Sequence, residues 1–274
     1  MGIMTRIAKQ LVSFSGDRTN SDYYKLSRWE PWADFTEKEQ QIAAYLMGAG
    51  QGFSDRENNY SVQSPESIAA TMRAVDYLCN NNIPGAFVEC GVYWACSQHA
   101  MIAALSGRTT DHVRELWLYD TFAGMPKPEE HDRARGEPDG AMTMDYWKLK
   151  NGRESNHPNG EGSDWVFCPL DKVKELLYST QYPESHLKFV KGKVENTIPA
   201  LMPDHVALLR LDTDYYASIK HSLEHLYPRM PSGGIVIIDD YNAFVGAKKA
   251  VDEFTQGKQF LSRVDEHVVM WVKP

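Results

Sequence analysis

The chain has 274 residues, 42% of them apolar, which suits one large α/β domain with an appended segment or two small domains. Its formal net charge is -8, from 37 acidic and 29 basic residues, and no block rich in Lys or Arg stands out. That argues against a nucleic-acid phosphate footprint and against an anionic membrane surface as partner.

The N-terminal "MGIMTRIAKQLVSFSGD" has too short an apolar run for a signal peptide and no small-residue cleavage site. Arg6 stands where a myristoylation signal has Ser or Thr. No stretch reaches the roughly 18 apolar residues of a membrane span. Cys79, Cys90, Cys96 and Cys168 form no CxxC pair, so reduced thiols in a cytoplasmic chain are the simplest reading. Residues 1–62 are polar and aromatic without a clear period, apart from "FTEKEQQIAAYLMGAG", which reads as a short helix. This arm is expected either to pack on the core or to serve as a lid or dimer contact, the chain being a homo-oligomer.

From Ser64 the signals sharpen. "SPES" offers Ser64 as N-cap, Pro65 at the first helical position and Glu66 in the first turn, ahead of helical spacing in "IAATMRAVDYLCNNN". "AFVECGVY" predicts a strand, "ACSQHAMIAALSG" a helix ending at Gly107, and "ELWLYDTF" a second strand. Residues 126–165 are rich in Gly, Pro, Asn and charge and predict a variable loop, a lid insert by length. "DKVKELLYST" resumes as helix; "LKFVKG", "HVALLRLD", "GGIVIIDDY" and "HVVMWVKP" predict strands, with helices "YASIKHSLEHLYPRM" and "VGAKKAVDEFTQG" between them. This alternation predicts an α/β fold with a doubly wound, mostly parallel sheet.

In such sheets ligands sit beyond the carboxyl ends of the strands. Glu89, Asp120, Asp212 and Asp239 all stand at such ends. "VECGVYWACS" has one glycine, Gly91, and is not GxGxxG, so a bulkier ligand than a pyrophosphate suits it better. Glu89 is placed to hydrogen-bond an amine or hydroxyl. Asp120 is placed either to hold ribose hydroxyls or to stabilise its own turn. Asp212, Asp214, Asp239 and Asp240 offer hard oxygens suited to Mg²⁺, Ca²⁺ or Mn²⁺, and without a cation they repel one another. "DTD" is equally compatible with the metal motif of a nucleotide-sugar glycosyltransferase, which leaves "IDD" unexplained. It also occurs as the Asp-x-Asp of phosphatases, where it ends a first strand rather than a late one.

Taken together, "LRLDTDYYASIKHSLEHLYPRMPSGGIVIIDDY" resembles the diagnostic block of the macrocin-type sugar O-methyltransferases. "SPES", "NIPGAFVECGV", "YDTFAGMP" and "VKGKVENTIPAL" match its other blocks in order, so that the likeness runs from Ser64 to Phe254. The resemblance implies a Rossmann-like class I methyltransferase domain over 63–274. It implies S-adenosyl-L-methionine and Mg²⁺ as cofactors and a small-molecule hydroxyl, on a sugar of a natural product, as acceptor. It assigns Asp212, Asp239 and Asp240 to the metal and Asp214 to the general base. It gives cofactor binding to Glu89, Cys90, Gly91, Ser97, Asp120, Thr121, Phe122, Gly192 and Asp212. The chain departs from the family pattern at Thr213, where Gly is usual, at Tyr215, and at Trp94, Ala95 and Cys96, where Arg-Gly-Gly is usual.

Overall fold

A computed structural model describes residues 34–49, 63–108, 113–151 and 162–274. Most of the expected arm lies outside these residues. Its described part is helix α1 (Glu37–Ala44), continued by a π-type turn (Tyr45–Ala49). Thr36 and Glu39 close a capping box at its start. Helix α2 (Pro65–Asn80) begins as its sequence predicts, with the Ser64 hydroxyl accepting from Ser67 N at 3.0 Å. Arg73 of α2 reaches Glu39 Oε1 at 2.6 Å and Asp34 Oδ2 at 2.9 Å, while Ile42, Ala43 and Leu46 enter the core. This part of the arm is therefore docked on the domain.

The chain then alternates through β1 (Ala86–Cys90), α3 (Cys96–Leu105), β2 (Leu116–Asp120), α4 (Ala141–Lys150), α5 (Leu170–Ser179) and β3 (Leu187–Lys191). It continues through α6 (Val194–Thr197), β4 (Val206–Leu211), α7 (Tyr216–Leu226), β5 (Ile235–Ile238), α8 (Val245–Thr255), β6 (Ser262–Arg263) and β7 (Val269–Val272). One sheet takes the order β3-β2-β1-β4-β5-β7-β6. The first five strands in this order are parallel; β7 runs antiparallel to both β5 and β6.

β1, β4 and β5 are buried throughout, which is why they read as continuous apolar runs rather than alternating ones. Side chains still alternate between the faces. Phe87 and Leu208 join the core that holds Met72 and Met101, whereas Val88 and Leu209 join the core that holds Ile219, Leu223 and Ala247.

Residues 126–165, expected as a variable loop and lid insert, carry regular structure in their described part. They contain α4, and Trp147 of that helix donates from Nε1 to Met125 O at 3.1 Å. Farther upstream, Ala134 forms an antiparallel bridge with Phe244. No disulfide links the four cysteines, and no helix among the described residues is long and apolar enough to cross a membrane.

Candidate active site

The sheet order changes direction at β1, whose neighbours are β2 and β4. A crevice therefore opens beyond the carboxyl ends of these strands. The parallel ladders continue past the strand ends and fix the residues that follow. Gly91 N donates to Tyr119 O at 2.8 Å, Asp212 N to Cys90 O at 2.8 Å, and Asp239 N to Leu211 O at 2.9 Å. The acids after β4 and β5 are thus held in register by backbone, not by loop packing.

A cavity of about 400 Å³ lies there, within the usual range for small-molecule sites. Gly91, Asp120, Thr121, Gly192, Asp212, Asp214, Asp239 and Asp240 all line it. Tyr93, Trp94, Met125, Trp165 and Phe244 supply apolar wall.

Gly91 has φ +88, and a Cβ there would lie 1.8 Å from Asp212 O. Only glycine allows the turn after β1 to press against β4. Asp120 holds the neighbouring turns together. Its Oδ2 accepts from Val92 N at 2.7 Å and Tyr93 N at 3.2 Å, and its Oδ1 from Phe122 N at 2.7 Å. Burial pushes this carboxyl above the usual aspartate range, against the pull of those N–H groups.

Four of the expected cofactor residues do not line the cavity. Glu89 is buried beneath it, accepting from Ser97 Oγ at 2.5 Å and from Gln98 and Arg210. Ser97 is turned down onto that carboxylate. The Cys90 side chain belongs to the opposite face, where the Ser222 hydroxyl lies 3.7 Å from its sulfur. Phe122 packs into the core around Met101.

The late acids divide in a way the sequence did not disclose. Arg210, 0% exposed, extends from β4 under the cavity floor. Its Nη1 lies 2.6 Å from Glu89 Oε1 and 2.5 Å from Asp212 Oδ2, and its Nη2 meets Asp239 Oδ1. An internal guanidinium therefore opposes the expected mutual repulsion at Asp212 and Asp239, although burial still holds the Asp239 carboxyl well above the aspartate range. A lone arginine in the apolar run "VALLRL" was the available signal, since a fully buried charge must be paired.

Asp214 and Asp240 lack that partner. They crowd each other instead. Burial pushes the Asp214 carboxyl up to about 7, and burial together with the Asp214 charge raises Asp240 well above the aspartate range. One carboxylate oxygen from each of Asp212, Asp214 and Asp240 falls within 4.8 Å of the others. Asp240 Oδ2 is buried without a hydrogen-bond partner. The converging trio thus includes Asp214 in the place where the sequence reading put Asp239. Three hard oxygens around one orphaned acceptor fit a divalent cation.

Asp132 went unnoticed in the sequence. Although it comes from the insert, it lines the same cavity and accepts from Tyr216 N at the start of α7.

A strand order of this kind, with a glycine turn against β4 and acids at successive strand ends, makes this a Rossmann-like α/β fold with its crevice at the β1 switch point. A family model, that of the macrocin O-methyltransferases (TylF), matches residues 56–273, and the chain belongs to this family.

Among curated proteins, the 8-demethyl-8-(2,3-dimethoxy-alpha-L-rhamnosyl)-tetracenomycin-C 4'-O-methyltransferase of Streptomyces olivaceus is 29% identical over 201 residues, 72% of this chain and 69% of that protein. The demethyldecarbamoylnovobiocin O-methyltransferase of Streptomyces niveus is 29% identical over 66% of this chain and 62% of its own length. The mycinamicin III 3''-O-methyltransferase of Micromonospora griseorubida is 27% identical over 66% of this chain and 64% of its own. The match thus spans less than two thirds of the latter two relatives. Among solved structures, the O-methyltransferase NovP superposes with a TM-score of 0.64 at 22% identity, covering 99% of both chains. The calicheamicin methyltransferase CalS11 superposes with a TM-score of 0.59 at 16% identity, covering 93% of this chain and 99% of that one. These two likenesses bear on the fold.

Proposed function

We propose that this chain methylates a hydroxyl on the sugar of a glycosylated natural product, with a divalent cation bound beside the acceptor. The observation that carries the reading is the convergence of Asp212, Asp214 and Asp240 within 4.8 Å at the β1–β4 crevice. Family membership favours methyl transfer over the nucleotide-sugar glycosyltransferase alternative. The curated relatives act, by name, on glycosylated tetracenomycin, on a novobiocin precursor and on mycinamicin III.

Asp212 and Asp240 would hold the cation, with the second oxygen of Asp239 as further ligand. Mg²⁺ is the proposed ion, and Ca²⁺ or Mn²⁺ would suit the same oxygens. Bound there, the ion supplies Lewis-acid charge that makes a nearby hydroxyl easier to deprotonate. Asp214 is the carboxylate left to take the acceptor proton, and a group pushed up to about 7 is well matched to that task near neutral pH. S-adenosylmethionine supplies the methyl group on a positively charged sulfur. The part of this chain would be to hold the acceptor oxygen in line with that methyl group, and such alignment provides much of the rate. Gly91 and Gly192 would let the cofactor approach the backbone, and Asp120 would be the acid to hold its ribose. The acidic lining favours a cationic sulfonium.

The test is a panel of three acceptors: the rhamnosylated tetracenomycin, demethyldecarbamoylnovobiocin and mycinamicin III. Formation of S-adenosylhomocysteine is followed after chelation and after return of Mg²⁺. Turnover of at least one glycoside, lost on chelation and restored by Mg²⁺, is expected. Cofactor binding by calorimetry with no turnover of any glycoside would overturn the acceptor class. Full turnover in chelator would overturn the metal.

A further inference from the structure

Helix α7, which follows the Asp214 turn, starts without a cap of its own. Tyr215 occupies the N-cap position with extended backbone, φ -99 and ψ 151, and its side chain accepts nothing from the first turn. Serine, threonine, asparagine or aspartate would normally stand there. The missing acceptor comes from the insert. Asp132 Oδ1 accepts from Tyr216 N at 2.9 Å, across 84 residues of sequence. Its other oxygen, Oδ2, accepts from Glu129 N at 2.9 Å. One carboxylate, 4% exposed, therefore ties a turn of the insert to the first N–H of α7. A negative charge at that end is also favoured by the helix dipole.

The surrounding contacts converge on this junction. Val245 N donates to Arg133 O at 2.9 Å and Arg135 N to Ala243 O at 2.7 Å, on either side of the Ala134–Phe244 bridge. The segment 133–135 is thus latched by backbone to the loop that follows Asp240. Gly246, in the first turn of α8, makes room for it. A Cβ there would lie 2.9 Å from Asp132 Oδ1, 2.9 Å from Tyr216 N and 3.0 Å from His131 O. The His131 ring packs edge-on against Tyr216, with centroids 5.1 Å apart.

Between the floor and this junction lies Asp214. Its φ is +59, and the turn around it is closed by Tyr215 N donating to Thr213 O at 2.5 Å. A non-glycine residue in that conformation is strained and persists only where its surroundings hold it. On one side the chain is fixed at Asp212, by Arg210 and by the ladder to Cys90. On the other it is fixed at Tyr216, by Asp132.

We infer that Asp132 is a positioning residue: by capping α7 from the insert it holds the Asp214 carboxylate in the cavity, so that the insert and the base form one unit. The inference rests on the reading of Asp214 as base and gives that base its second anchor.

The test compares Asp132→Ala, Asp132→Asn, Gly246→Ala and Asp214→Asn with the parent, on whichever of the three acceptors above is turned over fastest. Asp132→Ala is expected to bind S-adenosylmethionine within about twofold of the parent and to lose about 10–100-fold in kcat, the scale on which misplaced groups act, with a smaller change in acceptor KM. Asp132→Asn keeps an oxygen for Tyr216 N and should regain most of kcat. Gly246→Ala crowds the same carboxylate from α8 and should reproduce the kcat loss even where Asp132→Ala folds poorly. An inactive Asp214→Asn beside parental kcat in Asp132→Ala or in Gly246→Ala would overturn the inference. So would an Asp132→Asn as slow as Asp132→Ala. An active Asp214→Asn would instead overturn the base on which the inference rests.

Discussion

Arg210 and Glu89, neither of them exposed to solvent, meet at 2.6 Å between Nη1 and Oε1 beneath the cavity floor. The same guanidinium holds Asp212 and Asp239, so one residue of β4 joins the strand ends of β1, β4 and β5. Burial pushes Glu89 up to about 7 against the pull of Arg210. Removing the guanidinium would leave three carboxyl groups crowded at the cavity floor, with Glu89 buried and unpaired by any cation. Arg210→Met is expected to lose about 3–5 kcal/mol of stability, the range for breaking a buried pair. Arg210→Lys should recover only part of it, since a point charge cannot serve three acceptors in a fork. Urea unfolding checks both. A loss under about 1 kcal/mol in Arg210→Met would mean that protonation, not Arg210, keeps these acids quiet.

The strands beneath this network were legible because parallel strands buried on both faces leave unbroken apolar runs such as "VALL" and "IVII". The strand-end acids were legible for the same reason: the polar residue closing each run marks the crevice. Helix α4 was not. Met142 and Leu149 lie exposed on it and only Thr143 is buried, so "AMTMDYWKLK" shows no apolar stripe to find. β6 was missed because it has two residues, both exposed. The division of the acids between Arg210 and the Asp214–Asp240 pair depends on side-chain direction, which spacing does not carry. Asp132 reaches the site from a distant part of the chain and leaves no local signature at all.

Gly91 and Asp120 couple cofactor binding to folding. Gly91→Ala places a Cβ against the Asp212 carbonyl, backbone against backbone, at a φ that disfavours any side chain. Cofactor affinity should fall below detection by calorimetry, with a lower Tm. Asp120→Ala should weaken cofactor binding and also lower the Tm, because Val92, Tyr93 and Phe122 lose the acceptor for their N–H groups. Unchanged cofactor affinity in Asp120→Ala would remove it from the ribose site and leave it a turn-holding residue.

The pH dependence follows from Asp214. An aspartate whose carboxyl is raised from 3.8 to about 7 by burial binds its proton more tightly in the folded chain than in the unfolded one. Its contribution to stability is full below about pH 4 and is lost as the pH rises through 7. Asp214→Asn does not titrate. In metal-free protein the Tm of the parent minus that of Asp214→Asn should therefore be larger at pH 5 than at pH 8. Activity, measured with Mg²⁺ bound, should instead rise with pH, over a range below 7, because a cation beside Asp214 favours its ionised form. A Tm difference that stays flat across this window would show Asp214 to be ionised throughout.

The last prediction divides the acids by role. Asp240 carries a buried oxygen with no partner and lies beside Asp214, so it gains most from a cation. Asp240→Asn should weaken Mg²⁺ binding at least tenfold, by the loss of one charged ligand from a site of few. Asp239→Asn should act more weakly, because one oxygen of Asp239 is already committed to Arg210; excess Mg²⁺ should restore its activity. Asp214→Asn should bind S-adenosylmethionine as the parent does and lose methyl transfer by about 10²–10⁴-fold, as expected for a general base. Calorimetric Mg²⁺ titration of the three variants, set beside their turnover, decides among these assignments. Should Asp239→Asn lose more Mg²⁺ affinity than Asp240→Asn, the cation sits on the Arg210 side of the cluster. Should Asp214→Asn lose Mg²⁺ as completely as Asp240→Asn, Asp214 is a ligand, and the acceptor proton must leave by another route.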